Sequence, residues 1–314
     1  MDAVVGLLDG VRARGAFTLR MMMDPPWSMS VRDEAPLTVI CQTHGRAAIV
    51  AEGGATTWLR PGDVALTRGT ERYLYADGPA TPPMVVIHPG QRCTTVGGED
   101  LRFEMSLGVR TWGNSPTGTT RSVICAYEGH SEVSERLLDA LPTVLVLGSD
   151  QWDAHLVDVL ADEAGRDGPG QEAYLDRLLD LLLITALRAW FDREGNAPPW
   201  WYAERDPVVG PTLKLMYNNP AHPWTVANLA AAVGCSRAVL ARRFSEQVGE
   251  PPITFLTNWR LALAADLLGS SSATIATVAR QVGYSTPFAL SNAFKRAYGV
   301  RPREHRDNAR EWAS

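Results

Sequence analysis

Arginine is the residue whose placement in this sequence first demands a chemical explanation. Residues 224–244 read WTVANLAAAVGCSRAVLARRF, with Arg237, Arg242 and Arg243 gathered near the end of an alanine-rich stretch. A guanidinium pairs bidentately with guanine and is drawn to phosphate, so such a cluster can read or grip a polyanion; on an ordinary exposed helix it only meets solvent. Openings for catalysis are fewer. His44, His88, His130 and His155 stand singly, without metal-ligand spacing. The sequence has no GxSxG, HExxH, P-loop or dinucleotide fingerprint. Cys41, Cys93, Cys125 and Cys235 are isolated too, without the CxxC pairs of a zinc or dithiol site, and such thiols ordinarily pack as small hydrophobes. Arg92 beside Cys93 is the one neighbour that would favour a thiolate.

The formal charge of −5 hides a division along the chain. Residues 1–223 hold 19 Lys and Arg against 29 Asp and Glu, net −10, whereas residues 224–314 hold 11 against 6, net +5. An acidic part joined to a basic one fits a nucleic-acid-binding domain attached to a regulatory domain. The 314 residues suffice for two domains, and 45% hydrophobic with 21% charged content is that of a soluble globular chain. The most apolar run, residues 178–190, is broken by Asp180 and Arg188 and falls short of the roughly 20 residues a bilayer span needs, so a buried helix is expected rather than a membrane anchor. MDAVVGLLDGVRARG at the N-terminus lacks a continuous apolar stretch, so no secretory leader is expected and the cytoplasm is the expected compartment.

These residues need elements to position them. From Trp27 to Val123 and just beyond run short β-rich segments, LTVICQ, AAIVAE, TTWLR, DVALT, RYLYA, MVVIH and RSVICAY, separated by GG, PGD, RG, DGP and HPG. That punctuation predicts many short antiparallel strands in a sandwich or barrel. After Tyr127 the period becomes helical: SEVSERLLDALP, QWDAHLVDVLADEA and QEAYLDRLLDLLLITALRAWFD, with GRDGPG as a turn between the last two. Leu175, Leu178, Leu179, Leu182 and Ala186 form a face that must be buried against the β-rich part or against another subunit. GNAPPWWYAERDP then predicts a linker.

The C-terminal part repeats itself. TVANLAAAVGCSRAVLARRF (225–244) matches TIATVARQVGYSTPFALSNAF (274–294), with one extra residue in the second copy, and each is followed at equal spacing by Gly and Pro: Gly249 and Pro252, Gly299 and Pro302. Each copy reads as helix, turn, helix. Thr225 caps a helix with Val226, Leu229, Ala230 and Val233 inward; Gly234 ends it; Ser236 caps a second helix with Leu240 and Phe244 inward. Thr274, Gly283 and Ser285 are expected in those roles in the second copy, with Leu290 and Phe294 inward and Pro287 in the first turn. The outward face of the first copy is then Ser236, Arg237, Ala238, Ala241 and Arg242, with Arg243 flanking and meeting phosphate; that of the second is Thr286, Phe288, Ala289, Ser291 and Asn292, with Lys295 and Arg296 following. Arg can read guanine, Asn adenine, and Ala, Thr or Phe a thymine methyl. ITFLTNWRLALAADLL between the copies predicts a connecting helix over residues 253–268, long enough to set two reading helices about one duplex turn apart.

Residues 224–268 followed by TIATVARQVGYSTPFALSNAFKRAYGVRPREHR resemble the AraC/XylS family of bacterial transcription regulators over about 100 residues. Gly283-Tyr284, Leu290 to Lys295 and Pro302 to Arg306 match the second signature of that family, with Asn292 where Arg is usual. Trp27, GRAAIVAEGGATTWLRPGDVALTRG and LLDALPTVLVL are similar to the cupin-type ligand domain of one branch. The resemblance implies an α+β multidomain protein: a β-rich cupin-like barrel at 1–127 as sensor, a helical dimerisation and linker segment at 128–196, and an all-α DNA-binding domain at 207–314 with helix-turn-helix units at 225–247 and 274–297. It implies double-stranded DNA as partner, a homodimer formed through residues 175–191, contact with RNA polymerase, and no cofactor or metal. Arg72 and Tyr73 stand where a metal-binding cupin places histidine; a cupin-fold metal enzyme with a DNA-binding appendage is the alternative. Two signals are compatible: a small molecule in the barrel lined by Trp27, Cys41, Trp58, Tyr73 and His88, or an oxidant acting on Cys41, Cys93 and Cys125.

Overall fold

A computed structural model describes residues 16–69, 71–127, 137–193 and 195–312. The N-terminal stretch read for a leader, His130 and the first half of SEVSERLLDALP, residues 131–136, lie outside them. The described residues divide into two compact units: residues 16–127 with 141–193, and residues 195–312 with 137–140. The helices at 155–191 thus belong to the β-rich unit rather than forming a segment of their own.

Two sheets make up that unit. One has seven strands in the order β10 (Ser106–Gly108), β11 (Thr111–Gly113), β1 (Phe17–Met23), β12 (Thr120–Tyr127), β3 (Leu37–His44), β6 (Val64–Arg68) and β13 (Val144–Leu147). The other has six: β5 (Thr56–Leu59), β4 (Ala47–Ala51), β7 (Tyr73–Ala76), β2 (Ser28–Val31), β8 (Val85–His88) and β9 (Arg92–Thr95). All seven expected strand segments are strands. Pairing is mainly antiparallel, but β1–β11 and β2–β8 are parallel. Met21, Trp27, Met29, Ile40, Ile49, Leu59, Tyr75 and Trp112 fill the core.

Central strands β3 and β12 are buried on both faces, which explains their nearly unbroken apolar text. Helix α1 (His155–Ala164) packs on β3, β12 and β1, and α2 (Gln171–Phe191) packs on α1 and β13. Leu175, Leu178, Leu179, Leu182, Leu183, Ala186, Leu187 and Phe191 are buried within the chain. This corrects the expectation that the leucine face forms a subunit contact: the face is already covered, and the large apolar residues that α2 leaves outward are Tyr174 and Leu181, each about half exposed.

The second unit is helical. Where a linker is expected, a short helix α3 (Pro199–Ala203) forms, with Pro199 in the first turn, where its missing N–H is harmless. Then follow α4 (Val209–Asn218), α5 (Val226–Ala232), α6 (Arg237–Val248), α7 (Pro252–Ser270), α8 (Ile275–Gln281), α9 (Pro287–Tyr298) and α10 (Pro302–Trp312). Two cores lie side by side: Leu213, Met216, Leu229, Leu240, Phe244, Phe255 and Leu256 in one, Leu261, Ala264, Leu268, Val278, Leu290 and Phe294 in the other. Helix α7 belongs to both. Its 19 residues span about 28 Å, with Phe255 and Leu256 in the first core and Leu261 to Leu268 in the second.

Candidate nucleic-acid interface

Each repeat folds by local capping. The Thr225 hydroxyl accepts the Asn228 N–H at 3.2 Å while the Asn228 side chain accepts the Thr225 N–H at 2.7 Å, so two otherwise unpaired donors are satisfied at the start of α5. Gly234 turns the chain at φ +70° and the Cys235 N–H closes on the Ala230 carbonyl at 3.0 Å. Ser236 then caps α6 through the Val239 N–H at 3.3 Å. In the second copy Thr274 caps α8 and Gly283 adopts φ +86° as expected. The cap of α9, however, is Thr286 rather than Ser285, its hydroxyl accepting the Ala289 N–H at 3.1 Å. Pro287 is the cause: the residue before proline is driven to extended backbone, and Thr286 sits at φ −141°, ψ 151°. The extra residue is absorbed between the glycine and the cap.

Aligned on their caps, α6 and α9 present equivalent faces. Ser236, Arg237, Ala238 and Arg242 are exposed on the first, with Ala241 half-buried. On the second, Thr286, Asn292, Lys295 and Arg296 are exposed, Ala289 and Ser291 are half-buried, and Phe288 is 75% exposed. Not all keep free polar groups. Thr286 is committed to its cap, and the Ser291 hydroxyl donates to the Pro287 carbonyl at 2.9 Å. Arg242 pairs with both carboxylate oxygens of Glu246 at 3.0 Å, a solvent-exposed pair one helical turn apart.

Arg243 is placed differently from the expectation that it meets phosphate. Its guanidinium pairs with the nearly buried Asp206, which also accepts the Gln247 side chain at 2.7 Å and the Val208 and Val209 N–H groups at 2.8 and 2.9 Å. Burial works against this carboxylate, but the bonds from Val209, Val208, Arg243 and Gln247 outweigh it and hold its pKa below the usual range. Arg243 therefore fastens α6 to the start of α4.

The two modules are also tied to each other's surroundings. Arg260 on α7 donates to the Pro220 and His222 carbonyls, both at 2.7 Å. A Cβ on Gly283 would lie 2.7 Å from the Ala221 Cα and 2.9 Å from the Pro220 carbonyl oxygen. The turn of the second module thus rests on the loop that leads into the first. Arg306 on α10 donates to the Leu268 carbonyl at 3.3 Å and the Ala273 carbonyl at 2.5 Å, closing the end of α7.

In the β-rich unit an apolar cavity lies between the sheets, lined by Leu19, Met21, Met29, Ile40, Tyr73 and Trp112 among others. Of the five expected lining residues Tyr73 alone is in its wall. Trp27 is in the core, edge-on to Tyr75 at 5.2 Å. Strand alternation turns Cys41 away from the side that Ile40 faces. Trp58 lies under Arg46 at 4.7 Å on the surface, and the His88 Nε2 is 2.9 Å from the Thr94 hydroxyl. Burial pushes the Cys41 thiol well up and Cys125 to about 12; Cys93, which lines the cavity, is raised to about 11 by burial and then by Asp100, so Arg92 does not make it a thiolate. Among the described residues no three His, Cys, Asp or Glu side chains lie close enough to share a metal ion, and no helix is long and apolar enough to cross a membrane.

A family model described as cupin matches residues 2–192 and one described as helix-turn-helix domain matches residues 229–308. A putative AraC-like transcription regulator of Streptomyces antibioticus is 37% identical over 184 residues, which are 56% of this chain and 60% of that relative. The chain thus spans about three fifths of that protein's length. The HTH-type transcriptional regulator AlkR of Acinetobacter baylyi (strain ATCC 33305 / BD413 / ADP1) is 25% identical over 315 residues, covering 98% of this chain and 100% of AlkR. Among solved structures, the DNA-binding domain of AdpA, the global transcriptional factor, in complex with a target DNA, is 29% identical with a TM-score of 0.33, covering 34% of this chain and 95% of that one. With a cupin model matching residues 2–192 and the doubled helix-turn-helix at its C-terminal end, the chain belongs to the AraC/XylS-type regulators that carry an N-terminal cupin domain.

Proposed function

We propose that the protein is a transcription regulator that lays α6 and α9 into successive major grooves of double-stranded DNA and is governed by a small molecule held in the β-rich unit. The observation that carries this is α7, one continuous helix with an end in each core, presenting two capped and solvent-facing helices. Arg237, Arg242, Phe288 and Asn292 are the base readers; Lys295 and Arg296 are the phosphate contacts. Arg242 exchanges Glu246 for a base when DNA arrives. A ligand can act only if it favours one arrangement of the protein over another. The regulator works as a homodimer, for which the outward Tyr174 and Leu181, seven residues apart on α2, offer a contact, and it engages RNA polymerase.

Fluorescence anisotropy with DNA from its own promoter and with random duplex tests the reading. Arg237→Ala and Asn292→Ala should each cost about 1 to 3 kcal/mol on promoter DNA and much less on random DNA, whereas Lys295→Ala weakens both alike and lowers the salt dependence. Loss of equal size on both duplexes for Arg237→Ala and Asn292→Ala would refute base reading by these faces.

A further inference from the structure

We infer that the cavity between the sheets takes a small, uncharged and largely apolar ligand bearing one hydrogen-bond acceptor, and refuses anions; this rests on reading the β-rich unit as the sensing part. Its apolar walls come from five strands: Leu19 and Met21 on β1, Met29 on β2, Ile40 on β3, Ile87 on β8 and Ile124 on β12. Period-two alternation directs these side chains to one side of each strand.

Charge decides what is refused. Among the described residues no Lys, Arg or His lines the cavity, and the one carboxylic acid in its wall is Asp33. That carboxylate already accepts the Ala35 N–H at 3.4 Å and the Gln91 side chain at 3.4 Å. A ligand carboxylate or phosphate would be buried here without a counter-charge and beside a like one. Hydrogen bonding decides what else is excluded. The Tyr75 hydroxyl is closed in a buried set with Gln42 Oε1 at 2.9 Å and Ser122 Oγ at 2.5 Å, and that of Tyr73 lies 3.3 Å from the Thr67 hydroxyl. A polyol would therefore give up more hydrogen bonds to water than the few polar side chains of the wall, Thr38, Tyr73 and Gln91, can return.

One donor remains. Trp112 stands in the wall, only 6% exposed, and its indole N–H has no acceptor. A buried N–H without a partner is costly, and a ligand oxygen would relieve it. Size sets the last limit. The cavity measures about 50 Å³, against roughly 150 Å³ for a dry cavity that holds benzene. Entry requires wall residues to move, and Met21 and Met29, unbranched and adaptable, are the ones that can. A single ring or a short chain is the ligand this wall can accommodate.

Isothermal titration of the full chain with benzyl alcohol, toluene, benzoate and sorbitol tests the inference. Benzyl alcohol binds tightest, benzoate and sorbitol at least about tenfold more weakly, since a tenfold change needs only a small imbalance of this kind. Trp112→Phe weakens benzyl alcohol about tenfold and leaves toluene unchanged; Ile124→Phe, which narrows the cavity, weakens both, and Ile40→Phe does the same should Ile124→Phe not fold. Benzoate or sorbitol binding as well as benzyl alcohol overturns the ligand class, as does a lack of binding by both benzyl alcohol and toluene. Benzyl alcohol that binds through Trp112 yet leaves promoter affinity unchanged upholds the class and removes the sensing role.

Discussion

The two glycines that end the first helix of each module provide a controlled test of how the modules are held. Gly234 and Gly283 occupy equivalent turns at φ +70° and +86°, so alanine at either meets the same left-handed backbone penalty, about 1 kcal/mol. Their surroundings differ. An added Cβ at Gly234 meets nothing within 4 Å, whereas at Gly283 it meets the Ala221 Cα at 2.7 Å and the Pro220 oxygen at 2.9 Å, both backbone atoms that cannot rotate away. Forcing them apart adds about 1 to 3 kcal/mol and disturbs the Arg260 bonds to Pro220 and His222. Gly234→Ala should therefore cost about 1 kcal/mol and Gly283→Ala about 2 to 4 kcal/mol, measured by urea unfolding of the full chain followed by far-UV circular dichroism. Gly283→Ala should also reduce promoter affinity more than Gly234→Ala, because it alters the seat of the second module. Equal destabilisation by the two substitutions would refute the claim that the turn of the second module rests on the loop before the first.

Three further outcomes follow from individual side chains. Asp206→Ala should destabilise the helical unit by about 3 kcal/mol, leaving Arg243 and two backbone N–H groups without their acceptor, and Asp206→Asn by less. Because the folded pKa of Asp206 lies below its unfolded value, its contribution is complete above about pH 4 and vanishes as the pH falls through the folded value; Asp206→Asn should flatten that acid limb in unfolding measured against pH. Arg306→Met should cost about 1.5 to 3 kcal/mol in the same assay, since the Leu268 and Ala273 carbonyls lose a charged donor. Thiol labelling in native buffer should spare Cys41 and Cys125, both fully buried, until denaturant is added; their rapid labelling in the folded protein would contradict the packing of α1 over β3 and β12.

The helix-turn-helix pair was legible because its determinants are short-range. Thr225, Ser236 and Thr274 bond to N–H groups three residues away, and Leu240 with Phe244 repeat at one helical turn. Even the shifted cap at Thr286 follows from a neighbour, Pro287, and the steric rule for the residue before proline makes Thr286 the better reading of the same text. Strand β1 carries little strand signal because FTLRMMM alternates weakly and methionine is a better helix former than strand former, though it lies between β11 and β12 in the sheet. Helix α4 is not among the expected elements, although Asp206 accepting the Val208 and Val209 N–H groups is a helix-start signal.

By itself, then, the sequence determined the two copies, their caps, the rod between them and the strand-rich half, all carried by contacts within a few residues. Tertiary structure alone decided where the long-range partners lie. Asp206, 37 positions before Arg243, takes an arginine otherwise read as a phosphate contact. The leucine face of α2 finds its cover within the chain. The cavity draws Met21, Ile40, Tyr73 and Trp112 from distant strands while Trp27, Cys41, Trp58 and His88 stay out of its wall. A cap or a helical period is fixed by neighbours in the chain; the environment of a side chain depends on which elements pack against it, and residue spacing does not encode that.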